Sequence, residues 1–247
     1  AAAIVIDHQT MEVISYVGSA NFFDSTILGQ VDGIQAKRSP GSTLKPFAYA
    51  LAFDQGMIHA QSILYDAPQS YRVPENFDYK HLGPVTAENA LILSRNVPAV
   101  VLSAKLKDPD LFDFLKKTPT KIARDKLYYG DGIVLGGLEM SPFEIARLYT
   151  LFPNYGELRN LRVTKNQDLN QKNNNPKLLS RESSMMIMEI LSKNPRPDFE
   201  DKYDFVRKDF PVMWKSGTSI GFRDAWAVGI YQNFTIAVWV GNFDGRA

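Results

Sequence analysis

A proline stands directly after Lys45, at the head of an apolar run from Phe47 to Phe53. Proline has no N–H, and its ring clashes with the preceding helical turn, so a helix accepts it only at its start. Residues 42–55 therefore read as a helix that begins close to Ser42, with Gly56 as its stop. Leu44, Phe47, Ala48, Leu51 and Ala52 follow the i, i+3, i+4, i+7, i+8 spacing of one buried face. That start puts Ser42 where free backbone N–H groups and the helix dipole favour negative charge. Three-residue spacing puts Lys45 on the same face. A serine so placed becomes a nucleophile when a base is near. A lysine is that base only when burial or a second cation lowers its pKa. Alone, S-x-x-K also describes a serine cap followed by a solvated lysine. It occurs once in this chain, beside a strongly apolar helix face.

The rest of the chain supplies a frame. Residues 3–7 and 11–17 are β-rich runs around a polar turn, a candidate hairpin. Residues 18–41 read as loop, and 61–84, rich in Pro, Tyr and Asp, as irregular. Helices are expected near 86–93, 98–106, 110–117, 142–152 and 181–192, and strands at 212–216, 225–231 and 235–240. Residues 164–177 carry an asparagine run and read as a surface loop of unassigned role. Strands at both ends with helices between them give an α/β (α+β) chain: one mixed, mainly antiparallel sheet covered by helices. The 247 residues are read as a single domain, 1–247, with an all-helical lobe at roughly 45–150.

Composition narrows the chemistry. The absence of cysteine excludes disulfides, thiolate metal sites and a cysteine nucleophile. His8, His59 and His81 lie far apart and read as surface or loop residues, with no metal-ligand spacing. Net charge is +1 and the basic residues are scattered, so nothing points to nucleic acid. No apolar run reaches the roughly 20 residues of a membrane span. The abrupt strand at the N-terminus reads as a piece of a longer protein.

Two further motifs join Ser42 and Lys45. Lys215-Ser216-Gly217-Thr218 falls in an expected strand, where a glycine marks close approach of another backbone or a ligand. Its lysine beside hydroxyls suits a carboxylate and would crowd Lys45; a protective edge-strand lysine is the plainer alternative. S-x-N occurs at Ser19-Ala20-Asn21, Ser94-Arg95-Asn96 and Ser192-Lys193-Asn194. Any S-x-N can be a simple cap or turn. Only the second sits in a break between helices and between the other two motifs.

The order S-x-x-K, S-x-N, K-S-G resembles that of the penicillin-binding proteins and class A β-lactamases. Residues 38–47 (RSPGSTLKPF) resemble the nucleophile segment of class A, bifunctional penicillin-binding proteins. Gly136-Gly137 with residues 141–146 resembles another segment of that class, and residues 215–226 are similar to its 1C type. Ser216 stands where threonine is commoner, and either hydroxyl serves. The resemblance covers nearly the whole chain.

The resemblance implies a serine D,D-transpeptidase on the β-lactamase-like fold. Ser42 would attack the D-Ala-D-Ala carbonyl of a stem peptide and Lys45 would take its proton. Ser94 would bridge Lys45 and Lys215 and pass the proton to the leaving group. Asn96 would hold the substrate amide and position Lys45. Ser216 and Thr218 would bind the terminal carboxylate, with Gly217 between them. The N–H groups of Ser42 and Thr218 would form the oxyanion hole. β-Lactams would acylate Ser42, and no metal or organic cofactor is implied. Full-length relatives add a glycosyltransferase domain and a membrane anchor, which places this domain on the periplasmic face of the inner membrane. A D,D-carboxypeptidase, a β-lactamase and a β-lactam-sensing domain are the rival readings, with a chemically inert α/β domain behind them. Between Val97 and Trp214 there is no E-x-x-L-N segment of the kind that supplies the deacylating glutamate of class A β-lactamases. Glu144 reads as lying on the exposed face of its helix.

Overall fold

A computed structural model describes residues 1–68, 75–164, 175–195 and 211–246. The expected loop at 164–177 lies largely outside the described residues. Strands β1 (Ala2–Asp7) and β2 (Glu12–Val17) form the hairpin expected at the N-terminus. Near the C-terminus come β5 (Met213–Thr218), β6 (Asp224–Tyr231) and β7 (Phe234–Gly241). They join in one sheet, ordered β2-β1-β7-β6-β5, and every ladder is antiparallel. The sheet is therefore purely antiparallel rather than mixed.

Alternation explains its burial. Ala2, Ile4 and Ile6 of β1 point inward, as do Trp226, Val228 and Ile230 of β6 and Ala237 and Trp239 of β7. Register places Ile4 opposite Ala237 and Trp226 opposite Trp239, so the apolar rows meet across strands. Helices α6 (Pro142–Tyr149) and α7 (Arg181–Ser192) cover this face, α6 on β1, β6 and β7, and α7 on β5.

Helix α1 (Lys45–Asp54) is entered through a 3-10 turn, Gly41–Leu44, that holds Ser42. The sequence suggests one buried face. Instead every residue from Lys45 to Ala52 is buried, Tyr49 and Ala50 included. α1 is surrounded by α7, α2 (Ala87–Ile92), α3 (Asn96–Lys105) and α4 (Leu111–Lys116). An all-round apolar helix is a core helix, not a surface one. Phe47 stacks on Phe114 and Phe152 and meets Tyr149 edge-on, while the Tyr149 hydroxyl donates to Thr43 O at 2.7 Å. The turn that holds Ser42 is thus tied to the deepest aromatic packing.

The lobe at 45–150 is not all helical. β3 (Ile63–Asp66) and β4 (Gly83–Thr86) pair as a small antiparallel sheet within it. Four-residue strands next to prolines carry no alternation long enough to read. A one-turn helix, α5 (Lys126–Tyr129), and a 3-10 segment, Gly130–Leu135, also lie there. His8 is buried and bonded to Thr235 Oγ1 at 3.2 Å, not a surface residue, because the β1–β2 turn folds onto β7. No helix among the described residues is long and apolar enough to cross a membrane.

Candidate active site

The three motifs converge at the N-terminal end of α1. Lys45, the first residue of α1, has no exposed surface. Its Nζ donates to Ser94 O at 2.6 Å and Asn96 Oδ1 at 2.7 Å, with Ser94 Oγ at 3.4 Å. Lys215, projecting inward from β5 and 1% exposed, donates to the same Ser94 Oγ at 2.8 Å and to Ser216 O at 3.0 Å. One hydroxyl therefore stands between two buried amines.

Two ammonium ions cannot share such a site cheaply. Burial pushes the Lys45 amine well below its ordinary range, and the Lys215 and Arg95 charges push it further, with Asp66 opposing. Burial brings Lys215 down to about 7. The result is a pair of buried amines that give up their protons more readily than exposed lysines do, with one hydroxyl in reach of both.

Ser42 lies one turn before Lys45, whose backbone N–H donates to Ser42 O. The Ser42 side chain is half-buried, and among the described residues it makes no hydrogen bond to Lys45 Nζ. Catalytic pairs often close to bonding distance only with substrate present. Ser42 is held from behind. Arg38 exchanges backbone hydrogen bonds with Met140 at 3.0 and 2.8 Å. Ser39 Oγ donates to Gly136 O at 2.9 Å, and Trp226 Nε1 donates to Ser39 O at 2.8 Å.

Close glycine contacts finish the placement. Gly41 has φ of 54°, and a Cβ there would stand 2.5 Å from Thr218 O and 2.6 Å from Thr218 N. A Cβ on Gly136 would meet Gly41 N at 2.3 Å, and one on Gly217 would meet Pro40 O at 2.3 Å. The turn bearing Ser42 is thus pressed flat between Gly136 and the edge of β5. This holds the turn that carries Ser42 against the backbone of Thr218. Ser216 and Thr218 alternate with the buried Lys215 and Gly217 and face outward.

Asn96 opens α3. Its Oδ1 accepts from Lys45, and one of its two amide N–H groups goes to Glu75 O at 2.6 Å, leaving the other for a ligand. The other S-x-N matches do different work. Asn21 Oδ1 accepts from Phe23 N in a turn, and Asn194 bonds Trp214 at the end of α7.

Sequence reading missed Asp66 and Asn76. Asp66 Oδ2 accepts from Arg95 Nε at 2.7 Å and Oδ1 from Asn76 Nδ2 at 2.7 Å; Asn76 Oδ1 accepts from Asn96 N at 2.7 Å. Burial disfavours the charge on Asp66, but Asn76, the Leu82 N–H and Arg95 outweigh it and hold the carboxyl below its usual range. Arg95 also donates to Asp78 at 2.9 Å. Ser94 itself has φ of 55°. A left-handed serine costs about 1–3 kcal/mol, while hydrogen bonds to charged groups contribute about 1.5–3 kcal/mol each, so the cluster outweighs the strain. The only sequence signal for Asp66 is a carboxylate closing an apolar run, which is weak.

Glu144 is not on an exposed face. It closes a capping box with Ser141, and its carboxylate accepts from Lys37 Nζ at 2.5 and 2.6 Å and from Lys121 N at 3.1 Å. Among the described residues no carboxylate side chain is bonded to Ser42, Lys45, Ser94, Asn96 or Lys215.

The model of the "Penicillin binding protein transpeptidase domain" family matches residues 1–242. The chain belongs to that family. Its similarity to penicillin-binding protein 1C of Escherichia coli (strain K12) is 36% identity over 256 residues, covering 99% of this chain and 31% of the relative. The chain thus spans about a third of the length of such penicillin-binding proteins. Among solved structures it resembles penicillin-binding protein 1A from Haemophilus influenzae, with a TM-score of 0.79 and 20% identity, covering 99% of this chain and 43% of that one. It also resembles PonA1 from Mycobacterium tuberculosis in complex with penicillin V, with a TM-score of 0.73 and 19% identity, covering 100% and 70%. The fold is therefore that of penicillin-binding transpeptidase domains, a family of serine acyl-transferases.

Proposed function

We propose that this transpeptidase domain forms an ester between Ser42 and the penultimate D-alanine of a peptidoglycan stem peptide, then transfers the acyl group to an amine. The observation that carries this reading is the buried Lys45–Ser94–Lys215 relay at the head of the helix preceded by Ser42. Neutral Lys45 removes the Ser42 proton as the hydroxyl attacks the carbonyl. The developing oxyanion is met by the Ser42 and Thr218 N–H groups, each worth about 3 kcal/mol in comparable sites. Ser94 returns the proton to the leaving D-alanine nitrogen. Asn96 orients the donor amide, while Ser216, Thr218 and Lys215 suit the terminal carboxylate. A β-lactam follows the same path as far as the ester. In the full-length protein the domain would be coupled to a glycosyltransferase region and a membrane anchor and would work on the periplasmic face of the inner membrane.

Incubation with penicillin is expected to add one ligand mass, mapped to the peptide holding Ser42. A folded sample with no adduct, or with the adduct on another residue, would overturn the reading.

The ester is expected to persist. Glu144 is tied up by Lys37 and its own helix cap, and among the described residues no carboxylate of the kind that serves as a general base, worth ~10²–10⁴-fold, is bonded within the site to activate water. A chromogenic β-lactam should give one stoichiometric burst and then near silence. Sustained rapid turnover would move the function to a β-lactamase. Release of D-alanine from a stem-peptide donor, with and without an amine acceptor, separates transpeptidase from carboxypeptidase and from a sensor that acylates once.

A further inference from the structure

We propose that Asp66 is a positioning residue of the acylation step: its carboxylate, gripping Arg95 and Asn76, fixes the turn that presents Ser94 and Asn96 to Lys45. This rests on the reading of Ser42 and Lys45 given above. Asp66 ends β3, outside all three motifs, and is fully buried. Each of its oxygens takes a different arm of the same turn. Oδ2 accepts from Arg95 Nε at 2.7 Å, and Arg95 is the residue between Ser94 and Asn96. Oδ1 accepts from Asn76 Nδ2 at 2.7 Å, and Asn76 Oδ1 caps the Asn96 N–H at 2.7 Å. Arg95 (6% exposed) and Asn76 (3% exposed) are buried too.

The turn needs such a grip. Ser94 is left-handed, and its carbonyl, its hydroxyl and the Asn96 amide are together the hydrogen-bond partners of Lys45 Nζ. Releasing the turn would therefore loosen every contact that orients the base. The same carboxylate is also a charge. Lys45 feels the charges of Lys215 from β5, Arg95 from the α2–α3 turn and Asp66 from β3, and Tyr49 of its own helix feels Asp66. Tyr49 stays a neutral phenol because burial, then Asp66, raises its pKa. His81 Nδ1 lies 3.7 Å from Asp66 Oδ1, and Asp78 pairs with Arg95. Positioning and charge can be separated because Asn76 carries only the first.

The test is the single-turnover rate of Ser42 acylation by a fluorescent penicillin, followed across neutral and alkaline pH. A His81→Gln background removes the imidazole that lies beside Asp66. In Asn76→Ala the rate should fall roughly 10–100-fold, the scale of a misplaced catalytic group, with the acidic limb unmoved. In Asp66→Asn a similar fall should come with the limb moved to lower pH, because a charge that favours protonated Lys45 is gone. Arg95→Gln should move the limb the other way. Wild-type rates in both Asn76→Ala and Asp66→Asn would overturn the proposal, as would limbs that move in one direction for Asp66→Asn and Arg95→Gln. If Asp66→Asn does not fold, Asn76→Ala decides alone: a slowed rate upholds the grip and an unchanged rate removes it. Absence of any adduct on the wild-type protein would instead overturn the assignment of Ser42.

Discussion

Replacing Lys45 with methionine is expected to slow Ser42 acylation by roughly 10²–10⁴-fold, the contribution of a general base, while flattening the dependence of stability on pH. Methionine keeps the unbranched apolar stem that packs at the head of α1 but cannot take a proton. The flattening follows from the sign of the pKa shifts. Lys45 and Lys215 both hold a proton less tightly folded than unfolded. Between the folded and unfolded pKa values the unfolded chain binds more protons, so stability rises with pH through that window. For Lys215 the window runs from about 7 to the ordinary 10.5. Below it the folded state must bury the ammonium, and stability is lowest. Wild-type stability should therefore climb from neutral towards alkaline pH, and Lys45→Met should climb less steeply. Stopped-flow acylation and chemical denaturation at several pH values read both halves. Unaltered acylation in the variant would remove Lys45 from its role, and a stability profile equally steep in both proteins would contradict its buried-base character.

Gly41→Ala should nearly abolish acylation, and Gly56→Ala should not. Both glycines have left-handed backbones, φ 54° and 64°. An alanine in either place costs about 1–2 kcal/mol from that conformation alone. The difference lies in the surroundings. A Cβ at Gly56 meets nothing within 4 Å, whereas at Gly41 it meets the Thr218 carbonyl carbon, oxygen and nitrogen at 2.8, 2.5 and 2.6 Å. Those are backbone atoms of β5, so the Ser42 turn and the strand must move apart. A shift of about 1 Å is enough for ~10²-fold in rate. Thermal denaturation and penicillin labelling of the pair would show it: a larger loss of stability at Gly41 than at Gly56, with labelling lost only at Gly41. Equal labelling in both variants would mean that contact between Gly41 and Thr218 does not set the oxyanion hole.

Much of this architecture was legible because its determinants are local. The alternation in β1, β6 and β7 and the proline at the head of α1 each state their element within a few residues. The motif residues Ser42, Lys45, Ser94, Asn96 and Lys215 could be named because their spacing and order are distinctive. The position of Ser42 in a 3-10 turn, rather than in the α-helix proper, could not be read, since the two differ only in which carbonyl each N–H reaches. The grip of Asp66 on Arg95 spans residues far apart in sequence, and β3 and β4 are too short to show a period. Glu144 illustrates another failure. Its helix is amphipathic, so a charged residue reads as solvent-facing, but Lys37 arrives from a distant loop and covers it.

The pairing of β1 with β7, Ile4 opposite Ala237, joins the two ends of the chain in the middle of the sheet. Such contacts have the longest loops to close, and folding is slow where they dominate. On a ribosome, β5, β6 and β7 emerge well after α1. Until they do, Lys45 has no Lys215 beside it, and the Ser42 turn has no Thr218 to press against. A nascent chain therefore carries Ser42 before its partners exist, and, on the role proposed for Ser42, reactivity towards a β-lactam becomes a timer for completion of the fold.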